Sequence, residues 1–152
     1  MEYESEEEEK LDLIKKIMGM EITIVPFINH QIIGVGLTTD GRILITETMV
    51  SMFEPDELCC SIAHELAHIQ LGHSKTDDES YMHRTEFEAD EKAINIAISF
   101  GVNPGGLYRA LRRIVSLDPA SEFLTDSEHP SYSDRLRRIA WILQKKGYGV
   151  FA

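Results

Sequence analysis

The stretch SIAHELAHIQLGH, Ser61 to His73, decides how the rest of the chain is read. It sets three histidines and one glutamate in an otherwise apolar run. Ile62, Ala63, Leu66, Ala67, Ile69 and Leu71 suit a helix buried in a core. On such a helix His64 and His68, four apart, project from the same face one turn from each other. Both imidazoles could then reach one zinc ion. Glu65, directly after the first of them, could lie beside the metal and act as general base on an activated water. The plain alternative is two histidines and a glutamate scattered on a partly buried helix.

A catalytic zinc takes three protein ligands and keeps one position open. His73 is the nearest further histidine, but its spacing from His68 is not that of the extended metzincin signature. It also falls beyond Gly72, a plausible helix stop, and reads as a solvent-side residue or one behind the ligands. The next helix offers TEFEAD, residues 85 to 90. An antiparallel return after a short turn would bring these residues alongside HELAH. Glu86 and Asp90 share a face, so Glu86 could bind zinc while Asp90 accepts a hydrogen bond from the far nitrogen of a ligand histidine. Glu88 lies about half a turn away and is expected to face water. His83, one turn before Glu86, reads as a surface histidine. Taken without HELAH, residues 85 to 91 would be a charged, solvated helix face.

Outward from this pair, the pattern predicts a helix over 10–18, a strand over 21–27, and strands over 32–37 and 42–46 joined through TTDG. Asp-Gly between two β-rich runs signals a hairpin. Gly34 and Gly36 weaken the first of those strands or mark a close backbone approach. Pro55, Asp56 and Glu57 suit the first turn of a helix running to about Leu71. A second long helix is expected over 80–100. A third follows Asn103 as cap and Pro104 as first residue, to about Leu117. Residues 118–130 read as a loop, and SYSD (131–134) as a capping box ahead of a last helix ending near Gly147. The expected fold class is α+β: a small, antiparallel-containing β-sheet packed on the HELAH helix, with several further helices.

A chain of 152 residues is long enough for one domain with a real core. Residues 10–152 are expected to form that domain. Six glutamates fall within residues 1–10, so residues 1–9 read as an acidic mobile tail. The formal net charge of −11 argues against nucleic acid and anionic membrane surfaces as partners. No apolar run has transmembrane length, and the acidic start is unlike a signal peptide, so a cytoplasmic protein is expected. Cys59 and Cys60, adjacent on a helix, point in different directions and read as buried thiols rather than a disulfide.

HELAH, then EFEAD, then HPSYSDR at 129–135 resemble the gluzincin metallopeptidases of the CAAX prenyl protease and HtpX type. That family carries HExxH, a downstream ExxAD, and a later HP with an arginine five residues after the proline. The likeness runs through PDELCCSIAHELAHIQLGH and EADEKAINIAISFGVNPGGLYRALRRI, and covers roughly residues 31–140. Well-known members are membrane-embedded. This chain looks more like the compact soluble relatives called minigluzincins. The resemblance implies a zincin-like fold, with one zinc ion bound by His64, His68 and Glu86. It implies Glu65 as catalytic base, and Asp90 behind the ligands. It also implies that His129 and Arg135 approach the substrate or the developing oxyanion. From spacing alone, His129-Pro130 could equally be a turn and Arg135 a helix surface charge. Where the family carries a cleft-lining Asn-Ala-Phe-Ala-like stretch, this chain reads IIGVGLTTDG, so no substrate contact is carried over.

The expected function is therefore a zinc-dependent metalloendopeptidase that cleaves peptide or protein substrates. The alternative is a latent or inactive zinc-binding module, with the acidic head supplying a carboxylate to the open zinc position. Metallopeptidases that cleave bacterial repressors also pair HExxH with a Glu-rich helix, but they lack the HP-to-Arg segment.

Overall fold

A computed structural model of the chain describes residues 5–150. The mobile acidic tail expected over residues 1–9 therefore lies, for its first four residues, outside the described part. From Glu6 onward the chain is already helical in α1 (Glu6–Met18), four residues ahead of the predicted start. Ser5 caps the helix by accepting from the Glu8 amide at 3.2 Å, and Glu6 to Glu9 complement the positive end of the helix dipole. Lys10 reaches across to donate to the carbonyls of Val50, Ser51 and Phe53.

Three short strands follow: β1 (Ile22–Val25), β2 (Val35–Leu37) and β3 (Ile43–Thr46). The TTDG hairpin forms as predicted, with Gly41 at φ 86° and β2 antiparallel to β3. β1 pairs with β3 in parallel, giving a mixed sheet in the order β1-β3-β2. Gly34 and Gly36 do face a close neighbour, but it is the Ile28 side chain rather than another backbone. β2 ends the sheet and packs on the HELAH helix.

β3 runs directly into α2 (Glu47–Met52), a helix too short to show a period in the sequence. The helical remainder is α3 (Pro55–Gln70), α4 (Glu79–Ser99), α5 (Gly105–Leu117), a 3-10 turn (Pro119–Phe123) inside the expected loop, and α6 (Tyr132–Lys145). Ser131 caps α6 by accepting from the Asp134 amide at 3.1 Å, as SYSD suggests. At the start of α3 the Glu57 carboxylate accepts from the Glu54 amide at 2.9 Å and takes two bonds from Arg113. That pairing satisfies a carboxylate that is 1% exposed.

The core centres on α3. Its Leu58, Ile62, Ala63 and Ala67 are buried against Ala89, Ala93 and Ile94 of α4, and Cys59 and Cys60 are buried with them as free thiols. Burial raises both thiols, Cys59 to about 12, so both stay protonated at neutral pH. α5 crosses the first turn of α3 so closely that a Cβ on Gly106 would stand 2.6 Å from the Asp56 carbonyl oxygen. Backbone cannot yield as a side chain does. Gly106→Ala is therefore expected to cost about 1–3 kcal/mol of stability, read as a lower midpoint in urea unfolding. An unchanged midpoint would mean that α5 does not sit this close to α3.

Candidate metal centre

Helices α3 and α4 run in opposite senses, so their facing residues meet in reverse order. His68 meets Glu86, and His64, one turn earlier, meets both Glu86 and Asp90. Buried alanines at 63, 67, 89 and 93 let the two helices approach closely, and the polar side chains at 64, 68, 86 and 90 run alongside them.

His64 Nε2 lies 3.1 Å from His68 Nε2. His68 Nε2 is 2.9 Å from Glu86 Oε1, and His64 Nε2 is 3.4 Å from Glu86 Oε2. Among the described residues this is the one group of three or more His, Cys, Asp or Glu side chains whose donor atoms converge tightly enough to hold a metal ion. Tetrahedral zinc with bonds of about 2.0–2.1 Å would set neighbouring donor atoms about 3.3 Å apart, close to all three spacings. Two imidazoles and one carboxylate are also a donor set that zinc accepts. The residues thus fit the ion that the sequence suggests.

Behind the triangle, His64 Nδ1 lies 3.0 Å from Asp90 Oδ1. Its N–H is not aimed along that line, so Nδ1 has no hydrogen bond of good geometry among the described residues. Asp90 itself is held firmly. Arg135, on α6, donates to it through Nε at 2.9 Å and Nη2 at 2.8 Å, and its Nη1 comes within 3.6 Å of Glu86 Oε2. Arg135 is 7% exposed, so it is no surface charge, and both of its short bonds go to Asp90.

These charges set one another's protonation. Burial opposes ionisation of Glu86, but the His64 and His68 imidazoles and Arg135 outweigh it and hold that carboxyl well below its usual range. Asp90 is likewise driven up by burial and pulled lower overall by Arg135 and His64. Burial pushes His64 down, yet the Asp90 and Glu86 carboxylates raise it to about 9. That balance favours the imidazolium form of His64 in the metal-free site, and a divalent ion bound there would have to displace its proton. Glu65, half-buried on the same helix, is shifted upward chiefly by burial, against the pull of His64 and His68.

The remaining candidates fall outside the triangle. His129 is exposed in the loop before α6 and bonds Asp126, its Nδ1 3.1 Å from Asp126 Oδ1. His83 Nε2 meets the Asp126 carbonyl oxygen at 2.6 Å. His73 takes the second of its two expected places, behind His68 rather than toward solvent: its Nδ1 lies 3.0 Å from His68 Nδ1, and its Nε2 lies 3.3 Å from Glu88 Oε2. Spacing counted from His68 along a helix does not reveal this contact. The signal is Gly72, whose left-handed φ of 69° folds the chain back on itself.

Two histidines one turn apart on a helix, a carboxylate from an antiparallel partner and a glutamate beside the pair form the arrangement of a metallopeptidase. The comparisons agree. The chain belongs to the Peptidase U49 family, whose model matches residues 61–146, more than half of its length. The model of Peptidase family M48 matches residues 32–83, from the segment before β2 to the first turns of α4. The first match spans HELAH, EFEAD and HPSYSDR; the second stops short of Glu86. Comparison with curated proteins and with solved structures returns no match. No helix among the described residues is long and apolar enough to cross a membrane.

Removing Arg135 would take both short bonds from the buried Asp90 carboxylate. Arg135→Met is expected to destabilise the metal-free protein by about 3–5 kcal/mol in urea unfolding. A loss under about 1 kcal/mol would mean that Asp90 does not depend on Arg135 for its charge balance.

Proposed function

We propose that the chain is a zinc-dependent metalloendopeptidase, with His64, His68 and Glu86 as ligands and Glu65 as general base. The observation that carries this reading is the triangle of His64 Nε2, His68 Nε2 and the Glu86 carboxylate, with sides between 2.9 and 3.4 Å. A zinc ion held there supplies Lewis acidity, which lowers the pKa of a water and polarises a peptide carbonyl. Glu65 takes the proton from the attacking water and delivers it to the leaving amine.

Asp90, 3.0 Å behind His64 Nδ1, would orient that ring once its N–H turns toward the carboxylate, and Arg135 fixes Asp90 and lies within reach of Glu86. Arg135 is thus a positioning residue in this account, acting through the carboxylates rather than on the substrate. His129 is the remaining candidate for the developing oxyanion, and it would have to leave Asp126 to act there. The free edge of β2, which packs on α3, suits an extended peptide added as a further strand. A site that takes peptide main chain in this way fits an enzyme acting on peptide or protein substrates, as a minigluzincin-like relative of the CAAX prenyl protease group.

Two variants separate binding from chemistry. Glu86→Ala is expected to lose both stoichiometric zinc and cleavage of unfolded casein. Glu65→Gln is expected to keep zinc and lose about 100-fold or more in kcat. Undiminished cleavage by Glu65→Gln would contradict the mechanism.

A further inference from the structure

The two histidines of the triangle are supported differently from behind. His64 has Asp90, a carboxylate 1% exposed and fixed by Arg135. His68 has no carboxylate directly behind it. Its Nδ1 meets the Nδ1 of a second imidazole, His73, at 3.0 Å, with ring centroids 5.2 Å apart and planes at 67°. His73 Nε2 then meets Glu88 Oε2 at 3.3 Å, and Glu88 Oε1 lies 3.4 Å from Arg84 Nε.

The backbone puts His73 there. The Gly72 amide donates to the Ile69 carbonyl at 3.1 Å, and the His73 amide donates to the His68 carbonyl at 3.0 Å. With Gly72 in the left-handed region, these two bonds are a Schellman motif. The motif folds the residue after the glycine back onto the residue that begins the last turn. Here those two residues are His73 and His68.

We propose that His73 and Glu88 form a positioning relay that sets the tautomer and ring orientation of His68 for metal binding. The relay rests on the metal reading above. With Nε2 of His68 facing the triangle as an unprotonated donor, its proton sits on Nδ1. His73 Nδ1 must then accept, which leaves the His73 proton on Nε2, where it donates to Glu88. Each atom in the series has one role, and no proton is left without an acceptor. The same geometry keeps His73 out of the ligand set, because it lies on the far side of the His68 ring from His64 and Glu86. The His73 side chain is 9% exposed, whereas Glu88 is 45% exposed. The outer end of the relay therefore reaches water, while Asp90 behind His64 does not.

Competition with a chromophoric chelator at neutral pH measures zinc affinity directly and needs no turnover. His73→Leu, which removes the acceptor, is expected to weaken zinc binding about 10- to 100-fold. Glu88→Ala is expected to weaken it by a smaller factor. His73→Asn carries its side-chain oxygen close to the place of Nδ1 and is expected to recover most of the loss. Thermal midpoints of the metal-free Glu88→Ala and His73→Asn proteins should match that of the unaltered chain. This sets a relay apart from a merely structural contact, and these two variants carry the test if His73→Leu does not fold. Unaltered zinc affinity in His73→Leu, or in Glu88→Ala where His73→Leu does not fold, would overturn the relay. So would a loss that only follows the metal-free thermal midpoint. An unaltered chain that takes up no zinc would overturn the metal reading itself, and the relay with it.

Discussion

The close antiparallel packing of α3 on α4 is the constraint from which the site follows. Alanines at 63, 67, 89 and 93 keep the seam narrow, so the side chains beside them meet across it instead of diverging into solvent. The register of that seam pairs His68 with Glu86 and His64 with Asp90. A slide of one residue along either helix would rotate these partners off the shared face. α5 and α6 bear on the same pair. Gly106 lets α5 lie on the first turn of α3, and α6 sets Arg135 against Asp90 and Glu86 in that seam.

Electrostatics then makes the cluster legible as a site rather than a core defect. Glu86 and Asp90 are two like charges one turn apart in a largely buried seam. Burial and mutual repulsion would protonate at least one of them. Arg135 and a cationic His64 keep both ionised instead. A divalent ion bound to the imidazoles would take over the charge that the His64 proton supplies. The metal-free arrangement is thus already balanced for the exchange of one cation for another.

Much of the site could be read from spacing. An i, i+4 pair in HELAH and an i, i+4 pair in EFEAD are local facts, and antiparallel return after a short turn is a strong expectation. Both the shared face of His64, His68 and Glu86 and the place of Asp90 beside His64 follow from them. What escaped depends on contacts distant in the chain. Arg135 looks like one more charge among the arginines of α6 until α6 is laid against α4. The tie of Glu57 to Arg113 and the parallel pairing of β1 with β3 are invisible for the same reason. His73 is the exception, since its cause is local. Gly72 was legible as a helix stop, but a stop of this kind also dictates which side chain the next residue touches. α2, six residues long, is too short to show a period.

The central claim is that one metal ion is shared by α3 and α4. Zinc-edge anomalous diffraction from crystals of the zinc-loaded protein tests it most directly. A single peak is expected, bonded to His64 Nε2, His68 Nε2 and a Glu86 carboxylate oxygen. His73 should lie behind His68, and one position on the ion should be free of protein. A peak elsewhere, or one that takes His73 in place of Glu86, would contradict it.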